Sequence, residues 1–114
     1  MNQTSEYKRK FLVLIDETPE CDRAVTFAAH RVHRTGGTVV LLNVIHTADF
    51  QQFLGVEEVM RAEARETAER LIDQRVARIA EIGGVRTETV IREGDAIPAI
   101  ERLIAEDPAI GILV

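Results

Sequence analysis

Phe11-Leu12-Val13-Leu14-Ile15, followed directly by Asp16-Glu17-Thr18-Pro19, is the stretch that most limits what this chain can become. Five consecutive apolar residues, rich in strand formers, predict a strand buried on both faces. The next four start a helix, with Thr18 as N-cap and Pro19 at the first helical position. Strand, tight turn and helix together open a parallel α/β unit. Asp16 then sits at the carboxyl end of an interior strand, where open α/β sheets receive their ligands. Taken alone, an aspartate there is more often a turn or capping residue.

The remaining chain repeats the alternation. Cys21, Ala24, Val25, Ala28 and Val32 recur at helical spacing and predict a helix from Pro19 to Thr35, stopped by Gly36-Gly37. Glu20 and Asp22 suit the positive end of its dipole. Cys21 falls on the core side, as a small buried thiol rather than a reactive one. His30 and His33 fall outward with no third ligand nearby. Thr38 to Ile45 predicts a second, almost wholly apolar strand. Residues 46–54 read as a loop whose Phe50, Phe53 and Leu54 plug the core or cover a pocket mouth.

A long helix is expected from Val56 to Ile82, its charged residues forming a solvated face. Arg86 to Arg92 alternates, as an exposed edge strand does. Asp95 is expected to cap a third helix, with Ile97, Ile100, Leu103 and Ile104 facing inward. Ile110 to Val114 predicts a fourth strand. The β-α-β-α-β-α-β order predicts a single domain over residues 1–114. It is an α/β three-layer sandwich with a parallel sheet and helices on both faces.

Composition narrows the function. A net charge of −5 argues against a nucleic-acid partner, because phosphate neutralisation needs clustered Lys and Arg. The basic run Lys8-Arg9-Lys10 reads as a solvated strand edge. The one cysteine excludes an internal disulfide and fits a reducing compartment. No stretch reaches membrane-spanning length, and the first ten residues are too polar for the apolar part of a signal peptide. The expectation is a cytoplasmic protein with no membrane partner. No metal-ligand cluster is evident.

The order strand, Asp16, Thr18-Pro19-Glu20, helix, second strand and long charged helix, and then Val90-Ile91-Arg92-Glu93-Gly94-Asp95-Ala96-Ile97-Pro98-Ala99-Ile100, resembles the universal stress protein family. The resemblance runs from Phe11 to Val114 and lies in the order and spacing of the segments. It implies a Rossmann-like sheet of the adenine nucleotide alpha hydrolase-like type, with strand order 3-2-1-4 and the family's fifth strand lacking from the sequence.

The resemblance also implies a binding site for ATP or another adenine nucleotide. Asp16 would meet the ribose or adenine, with Glu17 and Thr18 beside it. Backbone groups near Val44 would meet the adenine edge, and Gly94 would let the turn after the third strand approach closely. The family's phosphate loop, Gly-x-x-Gly, would begin where this sequence ends, so the phosphate half is expected to be lacking. Glu17 stands where the family pattern has Gly, and Glu93 adds a second acid. Each would cost about 1 kcal/mol in water-like surroundings, and about 4 kcal/mol near a protein surface, if placed about 4 Å from a phosphate charge.

Other nucleotide folds fit poorly. Neither Gly-x-Gly-x-x-Gly after the first strand nor a P-loop is present. No Lys follows Lys10, as a phospho-receiver domain would need. Nothing resembles a nucleophile–base pair, so an enzyme is not expected. Two functions remain. One is a stress-response module that binds adenine nucleotide, at least weakly. The other is an interaction domain of the same fold that has lost nucleotide binding and dimerises. A homodimer is expected, because the uncharged strand Ile110 to Val114 would be a bare apolar edge unless covered by a second chain or by a segment beyond Val114.

Overall fold

The computed structural model describes residues 10–46 and 57–114. Its elements are β1 (Lys10–Leu14), α1 (Pro19–Thr35), β2 (Thr38–Ile45), α2 (Glu57–Ile82), β3 (Arg86–Glu93), α3 (Ala96–Glu106) and β4 (Ile110–Leu113). The four strands form one sheet in the order β3-β2-β1-β4, every neighbouring pair parallel. The expected strand order therefore holds. The loop residues Phe50, Phe53 and Leu54 lie outside the described residues.

The apolar run of β1 is spent on both faces, as its lack of alternation requires. Phe11, Val13 and Ile15 join Val39 and Leu41 of β2 against Val25, Ala28 and Val32 of α1 and Ile72 and Ile79 of α2. Leu12 joins Val40 and Leu42 on the opposite face, beneath Leu103 of α3. Two helices thus cover one face of the sheet and one helix covers the other. Fully burying one such aliphatic side chain contributes roughly 1.5–3 kcal/mol. β1, which leads into Asp16, is thus anchored by burial on both faces.

Helix ends follow the sequence signals. Thr18 is the N-cap of α1 and its hydroxyl accepts from Cys21 N–H at 3.3 Å. Gly36 ends the helix at φ +82°, a left-handed conformation that costs glycine little. The inward face expected for α3 is only partly realised. Leu103 is buried and Ile100 half-buried, but Ile97 is 70% exposed and Ile104 is also open to solvent. Among the described residues it is the only helix on its face, so none of them covers its flanks. Asp95 occupies the N-cap position of α3, yet its side chain makes no capping hydrogen bond.

Lys10 departs from the expected solvated edge. Its ammonium donates to Asp107 at 2.7 Å and to Glu88 of β3 at 3.1 Å, tying three chain segments together at the amino end of the sheet. Those bonds, with Asp107 first, raise the lysine above its ordinary value, and the same Lys10 contact holds the Asp107 carboxyl below the usual carboxylate range.

Candidate functional site

Past the end of β1 the chain must leave a buried strand and turn into α1 within four residues. Each carbonyl on that path needs a partner. Leu14 O is approached by the Cys21 Sγ at 3.8 Å. Ile15 O accepts from the Asn43 amide at 2.9 Å. Asp16 O accepts from the Arg75 guanidinium at 2.8 Å. The partners come from α1, β2 and α2 respectively, so three elements fix one corner.

The Asp16 carboxylate is held from the other side. Its Oδ1 accepts from the Thr18 N–H at 2.8 Å and from the Thr18 hydroxyl at 2.6 Å, an Asx-type turn. Its Oδ2 has no partner among the described residues and Asp16 is exposed. The turn therefore consumes one carboxylate oxygen and leaves the other available.

A cleft of about 470 Å³ opens beside this corner, within the roughly 300–1,000 Å³ range of small-molecule sites. Leu14, Ile15, Asp16 and Glu17 line it from the end of β1, Asn43 to His46 from the end of β2, and Ala64, Thr67 and Leu71 from α2. Its charged lining among the described residues is acidic, from Asp16 and Glu17, with His46 at the rim. The chemistry of such a lining is recognition by hydrogen bonding and apolar contact. Among the described residues, no group of three metal-ligating side chains occurs.

Of the five residues read from the sequence as site residues, the structure brings Asp16, Glu17 and Val44 together in this cleft. Thr18 lies behind Asp16, its hydroxyl already engaged with the carboxylate and with Cys21. Gly94 lines a separate, smaller hollow of about 190 Å³ with Arg92, Asp95 and Arg102. Glycine is needed there for its φ of +128°, and a Cβ would meet no atom of the described residues within 4 Å. Its N–H donates to Ile45 O at 2.9 Å and joins the end of β3 to that of β2. Glu93 lies 3.5 Å from the Arg61 guanidinium, which offsets part of its charge.

Two residues that hold the corner were not singled out in the sequence. Asn43 is the one amide in an otherwise apolar strand, and a buried amide must find a partner. Arg75 is 6% exposed, against the expectation of a wholly solvated charged face on this helix. It follows Ala68 and Ile72 and precedes Ile79 at spacings of three and four residues, on the buried stripe of α2.

Comparison with known proteins agrees with the fold. A family model described as the universal stress protein family matches residues 8–114. Among solved structures, the universal stress protein UspA from Lactobacillus plantarum is similar with a TM-score of 0.79 and 20% identity, covering 96% of this chain and 76% of that one. A protein of the universal stress protein family from Burkholderia pseudomallei is similar with a TM-score of 0.73 and 22% identity, covering 90% of this chain and 76% of that one. No curated protein gives a significant match.

Proposed function

The chain belongs to the universal stress protein family, and from that premise we propose that it is a stress-response module that binds ATP or another adenine nucleotide in the cleft at the end of β1, without catalysing a reaction. The observation that carries this reading is the Asp16 corner. Asp16 has one carboxylate oxygen fixed by Thr18 and the other without a partner among the described residues, beside a cleft of small-molecule size. A ribose hydroxyl or adenine amine is a donor of the kind Oδ2 accepts. The apolar wall from Val44, Ala64 and Leu71 suits a purine face. The acidic lining favours the nucleoside part of the ligand over its phosphates.

Among the described residues no helix is long and apolar enough to cross a membrane. A free buried cysteine and the net charge of −5 fit the cytoplasm and a partner other than nucleic acid. Titration calorimetry with adenosine, AMP and ATP tests the main reading. Saturable binding of adenosine is expected, and no heat with any of the three would refute it.

A second reading rests on β4. This strand pairs with β1 on one side, and Ile112 and Leu113 are exposed, Leu113 by 54%. The opposite edge, β3, carries Arg86, Glu88, Arg92 and Glu93, charges that discourage edge pairing. β4 carries none. This favours pairing of β4 with a further strand, from a second copy of the chain in a homodimer or from a segment beyond Val114, with or without a nucleotide. Sedimentation at micromolar concentration checks it. A dimer that Leu113→Lys disrupts supports the reading, and a monomer unchanged by that substitution overturns it.

A further inference from the structure

Arg75 is the one buried charged side chain among the described residues. Its Nη2 donates to Asp16 O at 2.8 Å and its Nη1 to Gln74 Oε1 at 3.3 Å. Its Nε lies 3.1 Å from Asp22 Oδ1 in the first turn of α1. That contact is an ion pair whose alignment falls short of a hydrogen bond, leaving Nε without a hydrogen-bond partner. The guanidinium therefore spans the corner, from Asp16 in the turn after β1 to the helix that follows.

Stability alone is a poor reason for this arrangement. Burying a charge is costly, and well-packed apolar residues in place of a buried ion pair often leave a protein equally stable or more so. The α2 stripe already has Ala68, Ile72 and Ile79 to bury. What an apolar side chain at position 75 would fail to do is satisfy the Asp16 carbonyl. We propose that Arg75 is a positioning residue of the cleft, fixing the peptide between Asp16 and Glu17 so that the Asp16 carboxylate is presented to ligand in one orientation. This rests on the nucleotide reading above.

The geometry supplies the mechanism. A peptide unit is planar, so a carbonyl held by Arg75 fixes the Glu17 N–H in the opposite direction and sets the ψ of Asp16. The Asp16 side chain is meanwhile held by Thr18. Main chain and side chain of the same residue are thus clamped from two sides, from α2 and from the start of α1. Removing Arg75 frees the carbonyl to turn toward water, and the Asx turn loses its fixed base.

The test compares the wild-type chain with Arg75→Met and Arg75→Lys. It uses titration calorimetry with adenosine, and amide hydrogen exchange at Thr18, whose N–H reports the Asx turn, and at Leu41, in the central sheet. Arg75→Met should weaken adenosine binding about tenfold and speed exchange at Thr18 with Leu41 unchanged. Arg75→Lys, which keeps a donor for the carbonyl, should recover at least half of the lost affinity on a logarithmic scale. Wild-type affinity in Arg75→Met overturns the proposal, as does faster exchange at Thr18 only in step with Leu41, which marks a general loss of stability. Should Arg75→Met not fold, Arg75→Gln, whose shorter side chain cannot reach the Asp16 carbonyl from the same position, takes its place: faster exchange at Thr18 with Leu41 unchanged supports the proposal, and no change or a shared change overturns it. A wild-type chain that binds no adenosine refutes the nucleotide reading instead, and the exchange comparison still decides whether Arg75 holds the corner.

Discussion

Asp16 offers the sharpest experiment, because the structure separates its two oxygens. Oδ1 serves the turn through the Thr18 N–H and hydroxyl, and Oδ2 faces outward without a partner among the described residues. Asp16→Ala removes both roles. Two hydrogen bonds to a charged acceptor would contribute roughly 3–6 kcal/mol if buried, but exposure reduces the expected loss to about 1–2 kcal/mol. With a urea slope of about 2 kcal/mol per molar, the unfolding midpoint should fall by roughly 0.5–1 M. Asp16→Asn keeps a carbonyl oxygen for Thr18, so its midpoint should stay within about 0.25 M of wild type.

For binding, the two variants should behave alike. Both substitutions remove the charged acceptor offered to ligand, which should weaken adenosine binding by about 1.5–3 kcal/mol, or roughly 10- to 150-fold. Calorimetry and urea titration on the same preparations read both quantities. A well-folded Asp16→Asn variant that binds adenosine as tightly as wild type would reduce Asp16 to a turn residue. The bland reading of a strand-end aspartate would then be the right one.

Three further outcomes follow from neighbouring contacts. Glu17→Gly should strengthen ATP binding more than adenosine binding, since Glu93 is already paired with Arg61 and Glu17 carries the acidic charge lining the cleft beside Asp16. Equal gains in calorimetry would place Glu17 away from the phosphates. Asn43→Leu leaves the Ile15 carbonyl unpaired in a buried position and should destabilise the chain by about 1–3 kcal/mol in urea. An unchanged midpoint would mean that water replaces the amide. For Lys10 and Asp107, the lowered carboxyl stabilises above its ordinary value of 3.8 and is lost as pH falls through its folded-state value. The raised lysine stabilises below 10.5 and is lost as pH rises through its own. Lys10→Met should therefore lower stability by about 1 kcal/mol near neutral pH and flatten the acid limb of the stability profile, read by urea titrations from pH 2 to 7. An acid limb unchanged by the substitution would count against the pair.

Much of the fold was legible because its signals are local. The Phe11 to Ile15 run, Thr18-Pro19, Gly36 and the alternating β3 each state their role within a few residues. The site was legible only in part. Asp16 is marked by its place at a strand end, but what holds it is not local: Arg75 reaches its carbonyl across 59 positions of sequence. A single arginine on a helix rich in charged residues looks solvated until its place on the apolar stripe is noticed. The flanks of α3 misled for the converse reason. Helical spacing says which residues share a side, but not how wide a side the neighbouring layer will cover, and Ile97 lies beyond it.

The parallel order β3-β2-β1-β4 also has a consequence for how the protein is made. Both strands that pair with β1 follow it in the sequence, so β1 leaves the ribosome before either neighbour exists. At about 5–20 residues per second, the roughly 30 residues to the partner positions in β2 take about 1.5–6 s, and the roughly 100 to those in β4 about 5–20 s. Through that interval the most apolar segment of the chain has unpaired backbone groups on at least one side, and no local hairpin can shield it. The same run that dictates the native sheet is thus the segment for which a nascent-chain chaperone would compete, and its release is timed by the synthesis of Ile110 to Leu113.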